Sequence, residues 1–136
     1  MADITITAAN VVPGTGAVLS QGIAGEAIAA GQVVALNPTA NTYVKADNDS
    51  ATVALRTPAG ICVAGANSGG PLLFQTAGEL TIGATLTPGV PLFLSATPGG
   101  ICPLADVTTG RTIQQLGLSK TAAIFTIQIN ALGITI

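Results

Sequence analysis

The chain has 136 residues, four Lys and Arg, six Asp and Glu, no His, and a formal net charge of -2. Four cations scattered at Lys45, Arg56, Arg111 and Lys120 build no basic stripe, so a nucleic-acid partner is excluded. Charged residues amount to 7%, against about 25% in an ordinary soluble domain, so much of the surface is expected to lie under a cover.

Lipid is a poor cover. Residues 80–104 carry no charge but are broken by Pro88, Pro91, Pro98 and Pro103 and by Gly83, Gly89, Gly99 and Gly100, whereas a spanning helix needs about 20 apolar residues in unbroken order. A membrane β-barrel calls for aromatic girdles, and aromatic residues make up 3% here, with no Trp. Protein is therefore the expected cover, and no membrane partner is expected. The length suits one domain. Cys62 and Cys102 are too few for a disulfide scaffold and fit a reducing compartment as small buried hydrophobes. Met1-Ala2-Asp3 lacks the basic start of a secretory signal, so synthesis in a host cytoplasm is expected.

In chain order, Ile4 and Ile6 alternate with Thr5 and Thr7, the period of a half-buried strand. Residues 1–28 then form an expected N-terminal strand and extended arm, rich in small residues, Pro and Gly, that pairs with a neighbouring subunit, the alternative being an ordinary strand and loop within its own barrel. Gly25 to Ala30 is the one helical candidate and is too short. Residues 29–136 are expected to form a β-barrel or β-sandwich built from two tandem β units, about 31–82 and 89–133. In the first, Gly31-Gln32-Val33-Val34-Ala35-Leu36-Asn37 leads through a turn to Tyr43-Val44-Lys45. In the second, Gly89-Val90-Pro91-Leu92-Phe93-Leu94-Ser95 leads to Ile101-Cys102-Pro103. Each unit then offers a Gly-started strand, at Gly60 and at Gly117. Each closes on an apolar strand, Leu72-Leu73-Phe74-Gln75-Thr76 and Ile124-Phe125-Thr126-Ile127-Gln128. The alternation continues through Leu132, Ile134 and Ile136. The fold class is all-β.

Groups that attack or titrate within reach of one another are scarce. Without His, the usual base for a Ser or Cys nucleophile is missing. Ser68 in Gly65-Ala66-Asn67-Ser68-Gly69 stands one place too late for a nucleophile elbow. Ser119 and Lys120 are neighbours on a strand and face opposite ways. Glu26 and Glu79 are the only glutamates and read as solvated turn residues, not a glycosidase pair. Gly14-Thr15-Gly16 fails the dinucleotide pattern, with Leu19 where a third Gly belongs. Asp47-Asn48-Asp49-Ser50 is the densest polar cluster; it lacks the Gly and distal Glu of a calcium loop and reads as an exposed interstrand loop. No catalytic, cofactor-binding or metal residue is assigned, no cofactor is expected, and the chain reads as a non-enzyme.

Three strings carry a family resemblance. They are Asp3-Ile4-Thr5-Ile6-Thr7-Ala8-Ala9-Asn10-Val11-Val12, Gly25-Glu26-Ala27-Ile28-Ala29-Ala30-Gly31-Gln32-Val33-Val34, and Leu94-Ser95-Ala96-Thr97-Pro98-Gly99-Gly100-Ile101-Cys102-Pro103. In these the chain resembles capsid decoration, or cement, proteins of tailed bacteriophages and related small head structural proteins. The resemblance implies a compact β domain, trimeric with copies of itself. It would sit on the outer face of the virion shell and bridge neighbouring major capsid protein subunits. Such families offer no catalytic residues to carry over. Another virion module, such as a tail, baseplate or fibre-base part, would share the same turn and strand grammar; a module binding glycan or a host surface is a further alternative.

Overall fold

The computed structural model describes residues 3–136. They form ten strands: β1 (Val11–Pro13), β2 (Val18–Ile23), β3 (Val33–Asn37), β4 (Thr42–Lys45), β5 (Gly60–Ala64), β6 (Pro71–Ile82), β7 (Pro91–Leu94), β8 (Ile101–Pro103), β9 (Thr112–Ser119) and β10 (Ile124–Thr135). Three short 3-10 turns, Ala8–Asn10, Val53–Arg56 and Leu104–Asp106, are the only helical elements among the described residues. The chain is all-β, its antiparallel sheet curled into a half-barrel.

The strand order is β4-β3-β5-β6-β10-β9-β7-β8. It reads the same from either end once the first hairpin, third strand and long fourth strand of one half are matched with those of the other. The halves meet where β6 and β10 pair antiparallel, from Ile124 opposite Thr81 to Gln128 opposite Ala77. A 3-10 turn follows the hairpin in each half.

Packing explains why the hairpin strands are apolar in runs and not in strict alternation. On β3, Val33 and Ala35 enter the main core while Val34 enters a smaller cluster on the opposite face. On β5, Ile61 enters the main core and Cys62 the smaller cluster. The second half repeats the plan: Leu92, Leu94 and Ile101 face the main core, and Phe93 and Cys102 face a third cluster with Val107. A strand buried on both faces has no polar side to show. The main core is shared, since Leu80 and Ile82 of β6 pack with Leu116, Phe125 and Ile127 of β9 and β10.

The N-terminal segment departs from expectation. Ile4 and Ile6 do pack on the main core with Thr5 and Thr7 exposed. They form no strand, because the segment makes isolated bonds to two different neighbours, Ile4 N–H to the Ile101 carbonyl and Thr7 N–H to the Gly83 carbonyl. Nor does the arm reach outward. β1 pairs with β6 from Val11 opposite Ile82, and β2 pairs with β6 from Val18 opposite Ala77 to Ile23 opposite Pro71. Gly78 lets both happen: it lies at φ 90°, and a Cβ there would run into the Gly16 carbonyl as the arm turns between β1 and β2. The segment beyond β2 then covers the smaller cluster with Ala24 and Ile28. Ala24 bridges to Tyr43 of β4, whose ring packs on Phe74 at a centroid distance of 4.7 Å with the planes tilted by 46°.

The two halves are also stapled by polar groups. Asn48 is fully buried, contrary to the exposed loop expected for residues 47–50. Its backbone N–H donates to the Ser95 carbonyl (3.1 Å), and its own carbonyl accepts from Thr112 N–H (3.0 Å). Its Nδ2 donates to the Leu94 carbonyl (2.8 Å). An Asn whose backbone and side chain together meet three groups of the other half is worth burying despite its desolvation cost.

Candidate interaction surface

The residues with chemical potential are spread over the fold and engaged in structural contacts. Glu26 Oε2 accepts the Lys45 backbone N–H (3.0 Å), and Glu79 Oε2 accepts from Lys120 Nζ (2.9 Å). Ser68 Oγ donates to the Gly25 carbonyl (3.3 Å). Ser119 is buried in β9. Cys62 and Cys102 are free thiols buried in different clusters. Burial pushes the Cys62 thiol up to about 11 and the Cys102 thiol, with Asp3 and Asp106 nearby, up to about 12.

Acidic residues gather around Arg111. Arg111 Nε lies 3.4 Å from Asp49 Oδ2, and Arg111 shares a surface depression with Asp3, Ser95 and Asp106. Asp3 Oδ1 accepts from Ser95 Oγ (2.6 Å). Asp47 accepts the Asp49 backbone N–H (3.1 Å); partial burial and the Asp49 carboxyl raise its pKa from 3.8 to about 6. Among the described residues no three His, Cys, Asp or Glu side chains are placed to hold a metal ion.

Two other depressions carry few ionisable groups. One of 540 Å³ beside Ile28 and Gln32 has Lys45 as its one ionisable lining residue. Another of 360 Å³, between Leu36, Pro38, Ala54 and Pro58, has none.

Apolar surface is the distinguishing feature. Eleven large aliphatic side chains are exposed, among them Val18, Leu19 and Ile23 of β2, Val53, and Leu132, Ile134 and Ile136 at the end of the chain. Single exposed hydrophobes are ordinary; contiguous ones mark an interaction surface. All but Leu104 and Leu118 fall into two zones.

The first zone surrounds the 3-10 turn Val53–Arg56. Ala54 forms one wall of the apolar groove with Leu36 and Pro58, and Val53 shares a second depression with Ala131 and Gly133. It runs directly into the second half of β10. There, seven consecutive residues, 130–136, are exposed, although the sequence alternation suggested one half-buried strand. The reason lies in the ladder. β6 accompanies β10 only as far as Gln128, and beyond that, among the described residues, β10 pairs with β9 alone, with a bulge between Asn130 and Ile134. Gly133 at φ 69° lies in that bulge. Its N–H is taken by Gln114 Oε1 (3.1 Å), while Gln114 Nε2 donates to the Arg56 carbonyl (2.7 Å). Gln114, buried in β9, therefore fixes the projecting strand to the 3-10 turn. The sequence gives no period or motif that marks this role.

The second zone is the outer side of β1 and β2, where Val12, Val18, Leu19 and Ile23 are exposed. Among the described residues, β2 pairs only with β6.

Comparison with known proteins returns no matching family and no matching curated protein.

Proposed function

We propose that this chain is a structural protein of a phage virion, a decoration or cement protein that binds the outer surface of the capsid. There it stabilises contacts between major capsid protein subunits and associates with copies of itself, as a trimer. The supporting observation is the pairing of an exposed, nearly uncharged aliphatic surface with a hydrophobic core shared by both halves. Such a surface resembles a domain core cut in half, the character of obligate interfaces. With few ions to strip of water, covering it carries a small desolvation penalty. At about 25 cal/mol per Å² of apolar area, several hundred Å² per contact supplies a few kcal/mol before association costs are subtracted. Several contacts on a symmetric lattice then multiply weak affinities.

Co-sedimentation tests this reading. Purified protein added to shells that lack it is expected to bind saturably, at a fixed ratio to the major capsid protein. Because charge contributes little, binding is expected to persist in 0.5 M salt. Absence of binding to such shells overturns the assignment.

A further inference from the structure

The two halves share a strand plan but differ in their covering, and that difference points to a partner. In the first half, β6 has a neighbour on both sides: β5 on one and β2 on the other, with Gln75 opposite both Ile61 and Leu19. In the second half, β10 past Gln128 has β9 on one side and, among the described residues, no strand on the other. The chain contains no second copy of the 18–30 segment, since only residues 83–90 separate β6 from β7. This side of β10, with no strand of the described residues beside it and with Leu132, Ile134 and Ile136 exposed, is a template for another extended strand.

The remaining question is which strand. Residues 121–136 contain no charge, and neither do residues 4–25. Of the strands with a single strand partner, β2 is the longest at six residues; its outer edge runs as far as the bridge from Ala24 to Tyr43 of β4, and Val18, Leu19 and Ile23 are exposed on it. It matches the seven-residue open stretch of β10, 129–135, in length, in neutrality and in aliphatic character. Pairing β10 with its own equivalent would leave every β2 edge bare. Pairing β10 of one copy with β2 of the next covers both of these edges in every copy if the ring closes, leaving the short strands β1, β4 and β8 at the margins of the sheet.

We infer that this chain self-associates head to tail, the second half of β10 in one copy adding to the outer edge of β2 in a second copy. The contact is heterologous, so in the trimer proposed above three such contacts close the ring. The inference rests on the self-association in the reading above but not on the capsid.

Cysteine pairing tests it. One set of variants carries Leu19→Cys, Gln21→Cys or Ile23→Cys; the other carries Leu132→Cys, Ile134→Cys or Ile136→Cys. Buried Cys62 and Cys102 stay out of the reaction. On mild oxidation, disulfides are expected between members of different sets when mixed, and native mass spectrometry is expected to show closed oligomers. Ile134→Lys, at a side chain 59% exposed, is expected to raise the assembly midpoint by about tenfold while leaving the melting temperature of the isolated chain unchanged. Cross-links confined to the β10 set, or a monomer at all concentrations, overturn the inference. Correct cross-links with no shell binding would refute the capsid assignment alone.

Discussion

Replacing Gln114 with Leu isolates the device that holds the projecting half of β10 in place. The side chain is 3% exposed and makes two hydrogen bonds, to the Arg56 carbonyl at 2.7 Å and from Gly133 N–H at 3.1 Å. Leu fills a similar volume, so little of the effect comes from a cavity. Each lost hydrogen bond contributes about 1 kcal/mol, and a partner left unpaired away from water costs about 1–3 kcal/mol. Both partners lie near the surface and water reaches them in part, so the expected loss is about 2 kcal/mol. In a domain of this size that is a fall of roughly 6–10 °C in Tm. The loss should also be local. Hydrogen exchange at Gly133 and its neighbours should accelerate more than at Leu80 or Phe125, because the bulge loses its anchor while the core keeps its packing. Gln114→Leu that melts like the parent protein, with Gly133 exchange unchanged, would refute the reasoning.

Other expectations follow from single sites. Gly78→Ala places a Cβ against the Gly16 carbonyl at a left-handed φ of 90°; a loss of about 2–4 kcal/mol is expected in denaturant melts, and parent-like stability would mean the arm is not seated on β6 as described. The Asp47 carboxyl has a native pKa raised from 3.8 to about 6, so the folded state binds its proton more tightly than the unfolded state. Its stabilising contribution is complete below about pH 4 and is lost as pH rises through about 6. Asp47→Asn keeps the acceptor for the Asp49 N–H and is expected to melt higher than the parent at pH 7, with that advantage gone at pH 4; equal melting at both values contradicts the assignment. Cys62 and Cys102, with thiols raised to about 11 and 12, are expected to resist a thiol reagent at pH 8 until the protein unfolds, when both react.

The all-β class was legible in the sequence because Phe125, Ile127 and their neighbours keep strict alternation, and because Pro and Gly punctuate every apolar run. The two-part plan was legible in the parallel strings around Val33 and Leu92. Three features were not. The intrachain seat of residues 11–23 depends on Gly78 opposite the Gly16 turn, a long-range fit with no local signature. The burial of Asn48 runs against its polar sequence context and follows from three bonds to the other half. The exposure of residues 130–136 is hidden because Leu132, Ile134 and Ile136 keep the period of a half-buried strand. Periodicity records that a face is to be covered but does not identify the molecule that covers it. Charge scarcity pointed to a covered surface; the structure supplies the open edges where cover is missing.

Calorimetry of capsid shells with and without the added chain tests the central claim most directly. The account predicts that a saturating amount raises the shell's melting temperature by several degrees, and that Ile134→Lys and Leu132→Lys blunt the rise. An unchanged shell transition at saturating protein would contradict it.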